Sequence, residues 1–167
     1  MIAEVARLYV LAVLLWGAQG KVRAFAGFRE TLEFWLGLRP SLSAPAAAAT
    51  ICLEGAFGLG LAWPDPAPRR IAMIGALILF SLFTLLITLT LARGRTLRCS
   101  CFGNSGDDLS PADILRNLSL IGAGIAWLVL PSVPGAEPGA LLLAAALALL
   151  LAQIAVHSGL IARLFAR

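Results

Sequence analysis

The chain has 167 residues, 60% of them hydrophobic and only 13% charged. A water-exposed domain carries about 25% charged residues, so this composition argues against a soluble enzyme or soluble binding module. The net charge of +4 then reports membrane topology rather than a nucleic-acid partner. The long apolar runs predict an all-α integral membrane protein, a single transmembrane domain over residues 1–167. Its expected architecture is a bundle of about five transmembrane helices, four forming a core plus one, with an interfacial amphipathic helix after the first span.

Residues 2–20 read as the first span. Glu4 and Arg7 lie three apart and can pair along one helix face. Gly17-Ala18-Gln19-Gly20 is rich in small residues, which leaves a cleaved signal peptide as the alternative. The missing basic leader and the presence of Glu4 favour a retained span. In residues 21–40, Val22, Phe25, Phe28, Leu32, Trp35 and Leu36 recur at helical spacing with Arg23, Arg29, Glu30 and Glu33 between them. That pattern predicts an amphipathic interfacial helix, closed by Pro40.

Residues 43–63 form the second expected span, carrying Glu54 near its middle and Cys52 two residues earlier. Gly55, Gly58 and Gly60 thin this helix for close neighbours. Pro64-Asp65-Pro66-Ala67-Pro68 reads as a rigid turn. The third span covers residues 70–92, where Ser81, Thr84 and Thr88 form a weakly polar stripe expected to face other helices. Residues 93–113 are a polar loop ending in Ser110-Pro111-Ala112-Asp113, a helix-start signal with a Ser N-cap, Pro at the first position and an acid at the third. The fourth span runs over residues 114–130 with Arg116 and Asn117 in its first turns, and the fifth over residues 140–162.

With five spans, residues 21–40, the polar loop and the C-terminus share one side of the membrane. That side holds ten of the basic residues against three, Arg7, Arg69 and Arg70, on the other. Positive residues are retained in the cytoplasm. The expectation is an inner-membrane, multi-pass protein with its N-terminus outside and the polar loop cytoplasmic.

The chemistry is concentrated in Arg98-Cys99-Ser100-Cys101-Phe102-Gly103. Arg98, with Arg93 and Arg95 upstream, favours a thiolate over a thiol, and a thiolate attacks disulfides and binds metals. A disulfide between residues i and i+2 needs a bent backbone and closes a small ring, and strained disulfides exchange easily. A redox pair is the leading reading for Cys99 and Cys101. A metal site and two incidental thiols are the alternatives, although a structural zinc site wants about four ligands and the one histidine, His157, lies in the last span.

Glu54 is costly in mid-span unless it is protonated, paired or facing a cavity. It is either a helix fastener or a proton relay beside the thiols, with Arg116 its expected partner. Lys21, Arg116 and Asn117 lie at span ends on the thiol side; snorkelling accounts for Lys21 taken alone. Cys52 is expected as a packed core thiol, and Gln153 with His157 as a helix–helix hydrogen bond. No pattern names a cofactor, and a quinone stays open.

Three features together resemble the methylamine utilisation protein MauE family, relatives of the DoxX-like integral membrane proteins. These are Gly20-Lys21 followed by Phe28, Leu36-Gly37-Leu38 and Pro40; Glu54-Gly55; and Cys99-Ser100-Cys101-Phe102-Gly103 followed by Arg116-Asn117. They span most of residues 10–125. The family pattern usually has Gly between the cysteines where this chain has Ser100, and Gly reaches backbone angles that Ser avoids. The resemblance implies a membrane factor for maturing methylamine dehydrogenase, whose small subunit is rich in disulfides. It thereby implies a periplasmic client and a thiol–disulfide role through Cys99 and Cys101, with a client or thiol-redox protein as partner. The rival is a non-catalytic assembly or transport factor for the same pathway.

Overall fold

A computed structural model describes residues 1–94, 109–130 and 138–156. These residues form six helices: α1 (Ile2–Arg23), α2 (Phe25–Leu36), α3 (Pro40–Ala62), α4 (Pro66–Ala92), α5 (Pro111–Val129) and α6 (Pro138–Val156). All except α2 are long and apolar enough to cross a membrane, and among the described residues there is no strand.

Prolines set most of the helix starts. Pro40, Pro66 and Pro111 sit in the first turn of α3, α4 and α5, where the missing N–H forfeits no intrahelical bond. This corrects the expected boundaries in two places. Pro40 opens α3 rather than closing the amphipathic helix, which ends at Gly37 in the left-handed region at φ 62°. Pro66 opens α4 inside the expected turn. Lys21 also belongs to the end of α1, since the break before α2 falls at Ala24. The start of α5 is as expected: the Asp113 carboxylate accepts from the Ser110 backbone N–H at 2.9 Å.

Four helices close a ring. α1 packs on α3 and α5, and α4 packs on the same two. Glycines permit the closest approaches. A Cβ on Gly58 would stand 2.7 Å from Leu15 Cδ2, and one on Gly60 would stand 2.8 Å from the Ala72 Cβ. Gly55, by contrast, faces open space. α6 lies outside the ring on α1, buried along Ala144, Ala148, Ala152 and Ala155. Such a small-residue stripe lets helix backbones approach where lipid removes the hydrophobic driving force. Outward-facing residues such as Ile71, Leu142 and Leu150 are exposed, as a bilayer-embedded surface requires.

α2 docks its apolar face against the ring. Phe28 and Leu32 are buried with Ala47 of α3 and Phe83 of α4. Trp35 Nε1 donates to Thr90 Oγ1 at 3.1 Å, and Ser43 donates to the Glu33 carboxylate at 2.6 Å, tying α2 to α4 and α3.

Two further expectations are overturned. Cys52 is exposed rather than packed: it stands two residues, about 200° of helical rotation, from buried Glu54, so it lies on the opposite face of α3. Ser81 and Thr88 are exposed as well. The buried face of α4 runs through Met73, Ala76, Phe80, Phe83, Ile87 and Thr90. Thr84 and Thr88 instead donate to the carbonyls of Phe80 and Thr84, each at 2.7 Å, which satisfies the hydroxyls within their own helix.

Candidate functional site

Five helices contribute to one buried polar site. The end of α1 supplies Lys21, and α3 supplies Glu54. Lys21 Nζ donates to both carboxylate oxygens of Glu54, at 2.7 and 2.8 Å, and each residue is only 2% exposed. The ammonium also lies 5.4 Å from the ring centroids of both Phe28 on α2 and Phe83 on α4. Aromatic faces carry negative potential, so the two rings add attraction on the sides the carboxylate leaves open. From α5 come Arg116 and Asn117, both buried. They line a cavity of about 20 Å³ together with Lys21, Glu54, Phe80 and Phe83, room for about one water.

The sequence pattern makes this geometry possible. α1 ends two residues after Lys21, so a long side chain there can turn under α2 into the bundle. Glu54 falls on the buried face of α3 with Ser43, Ala47, Gly58 and Leu61. Arg116 sits five residues into α5, about 7.5 Å from its start, where its Nη1 donates to Asp113 Oδ1 at 2.8 Å. The expected Glu54–Arg116 pair thus gives way to Glu54–Lys21. The reason is depth: α1 stops at the level Glu54 occupies, while the Arg116 guanidinium meets an acid one turn back on its own helix. Snorkelling is likewise overturned for Lys21, which is turned inward and fully covered.

Of the residues singled out by sequence, Lys21, Glu54, Arg116 and Asn117 are therefore brought together. Cys99, Cys101 and Arg98 lie outside the described residues, as does His157. Sequence reasoning missed Asp113 as the partner of Arg116, although the i, i+3 spacing signals it. It also missed Phe28 and Phe83 as walls of the ammonium site, for which no local signal exists.

The site holds one cation between an acid and two rings, next to a second, separately paired cation. Ionisable groups buried inside membrane spans are expensive and mark functional sites by default. The model of the methylamine utilisation protein MauE family matches residues 1–131. The chain belongs to the MauE family. No curated protein and no solved structure matches it. The MauE match takes in α1 to α5 and the segment that joins α4 to α5, so it covers the whole polar site; α6 lies beyond it. Membership makes this a multi-pass membrane protein of the methylamine utilisation pathway, embedded in lipid through five apolar helices.

Proposed function

We propose that the protein is a membrane-embedded thiol–disulfide redox protein that supports disulfide formation in methylamine dehydrogenase or a similar client through Cys99 and Cys101. The observation that carries this reading is the convergence of Lys21, Glu54, Arg116 and Asn117 on one site beneath the chain ends that carry the cysteine segment. That segment leaves α4 after Ala92 and enters α5 at Pro111, within about two turns of Arg116. In the exchange, the Cys99–Cys101 disulfide accepts two electrons that originate in a client dithiol and arrive through the dithiol of a thiol-redox partner. A partner thiolate attacks one sulfur, the mixed disulfide is resolved by the second partner thiol, and both cysteines leave as thiols. A thiol-redox protein or a membrane carrier then restores the disulfide.

Lys21 and Arg116 are supporting residues in this scheme. Each is already paired with a carboxylate, so they fasten the helices at the base of the segment, while Arg98 favours the thiolate over the thiol from within it. Glu54 holds Lys21 in place, and Asn117 offers an uncharged amide beside it. The charge bias favours the cytoplasmic side of the inner membrane for the segment, so this reading needs an electron relay across the bilayer between the pair and a periplasmic client.

The test is client maturation in cells carrying Cys99→Ser or Cys101→Ser, with the redox state of both cysteines read by differential alkylation and mass spectrometry. Loss of maturation, with a wild-type pair that cycles between dithiol and disulfide, is the expected result. Intact maturation in both variants would reject the redox reading and favour a non-catalytic assembly factor.

A further inference from the structure

The groove between α1, α5 and α6 is large, about 910 Å³, but its walls are apolar and its polar groups are already bonded. The Tyr9 hydroxyl is 2.9 Å from Ser119 Oγ, Ser119 donates to the Arg116 carbonyl at 2.6 Å, and the Arg116 guanidinium donates to Asp113 at 2.8 Å. Nothing in that groove calls for a polar ligand. The small cavity at Lys21 and Glu54 is the opposite case. Its volume is about 20 Å³, and a water needs about 10–15 Å³ of such space. Asn117 lines it and is only 4% exposed, yet among the described residues no protein group bonds its side-chain amide. That amide carries two donors and an acceptor, and buried amides in native proteins almost always find a partner, in protein or in ordered water.

The opposite wall offers the second partner that a bound water needs. Glu54 lines the cavity from α3. A carboxylate has about four lone-pair positions, and Lys21 takes one on each oxygen, so acceptor capacity remains. α3 and α5 stand diagonally across the ring, each packed on α1 and α4, so a link from Asn117 to Glu54 has to cross the centre of the bundle. Charge selects the occupant. A further cation would face Lys21 and Arg116, which both line the cavity, and an anion would face Glu54. These charges are matched within the protein, Lys21 by Glu54 and Arg116 by Asp113. The walls therefore suit a neutral molecule that both donates and accepts, and the volume limits it to the size of water.

We propose that one water molecule is bound in this cavity, donating to the Glu54 carboxylate and accepting from the Asn117 amide. It links α5 to α3 across the ring and brings Asn117 into the Lys21–Glu54 network, which makes Asn117 a positioning residue for Glu54. The proposal does not depend on the thiol-redox reading.

The experiment is synchrotron X-ray radiolysis of the full chain in nanodiscs. Radiolysis splits bound as well as bulk water, the hydroxyl radicals oxidise the side chains beside them, and mass spectrometry reads the sites. The expected result is oxidation of Phe80 and Phe83, which line the cavity, severalfold faster than of Phe28, which is buried but lies outside the lining. Mixing with heavy-oxygen water just before exposure should carry the isotope into products at exposed Phe25 and Phe34 sooner than into those at Phe80 and Phe83, because a bound water exchanges slowly. Asn117→Leu removes the amide and fills the space, and should bring both rings down to the Phe28 rate with helicity retained. Asn117→Ser keeps a hydroxyl and should hold them near wild type. The Cys99→Ser, Cys101→Ser double variant should leave the pattern unchanged. Equal wild-type rates at Phe28, Phe80 and Phe83 would mean a dry cavity and overturn the proposal, whether or not Asn117→Leu folds. Heavy oxygen entering Phe80 and Phe83 as fast as Phe25, or oxidation indifferent to Asn117→Leu, would mean bulk water reaching the bundle and would overturn it as well.

Discussion

The Lys21–Glu54 pair offers the sharpest test of how this bundle is held together. Each group is only 2% exposed, and the bonds are 2.7 and 2.8 Å long. Two unit charges 4 Å apart at an effective dielectric of about 20 attract by about 4 kcal/mol, and this pair is closer. Removing one partner of a buried pair costs about 3–5 kcal/mol, because the other charge stays buried and unmatched. The two partners are not equivalent. Glu54→Gln leaves Lys21 against the faces of Phe28 and Phe83, each worth about 2 kcal/mol to a desolvated cation. Lys21→Met leaves a carboxylate facing two rings that repel it. Glu54→Gln should therefore fall near the lower end of that range, about 3 kcal/mol, and Lys21→Met near the upper end, about 5 kcal/mol. The double variant Lys21→Met with Glu54→Gln removes both charges and should recover part of the loss, the remainder being the roughly 1–3 kcal/mol that a buried amide without its partner costs. Reversible unfolding in mixed micelles, titrated with dodecyl sulfate and followed by tryptophan fluorescence, gives all four free energies. Additive single losses in the double variant, or a loss under about 1 kcal/mol for either single variant, would refute a dry, coupled pair.

Other outcomes follow from the same structure. Glu54→Gln should change the dependence of the Cys99 and Cys101 alkylation rate on pH if the polar site acts on the thiols; profiles identical to wild type would reduce Glu54 to a helix fastener. Gly58→Val should destabilise the ring by about 1–3 kcal/mol through overpacking against Leu15, whereas Gly55→Ala, which meets open space, should be neutral or mildly stabilising in the same titration. Asp113→Ala removes both the bond to the Ser110 N–H and the partner of Arg116, and should lose about 1–3 kcal/mol, with hydrogen exchange rising at the start of α5. A membrane-impermeant thiol reagent added to intact spheroplasts should leave reduced Cys99 and Cys101 unlabelled; ready labelling from outside would reverse the orientation derived from the arginines.

What could be read from residues alone was everything governed by local chemistry. Low charge and long apolar runs specify spanning helices because bilayer hydrocarbon leaves the backbone no other way to satisfy its polar groups. Ser110-Pro111-Ala112-Asp113 specifies a helix start because its bonds close within one turn, and Glu4 with Arg7 pair at 2.7 Å as their spacing requires. Cys52 is misread as a packed core thiol when its apolar character is weighed without its rotation of about 200° from Glu54; it is exposed. Other features depend on where helices stop and cross, which no periodicity encodes. Lys21 and Glu54 are 33 residues apart; only the ending of α1 at Arg23 and the docking of α2 above it bring the ammonium to the acid. Phe28 and Phe83 become a cation site because two different helices present them to the same point. Tyr9 and Ser119, 110 residues apart, share a groove because α6 settles on α1 and leaves the α1–α5 seam uncovered. Local patterns choose the helices; which face α3 and α4 bury and the depth at which each side chain meets the others are properties of the assembled bundle, because they are fixed by packing between segments distant in the chain.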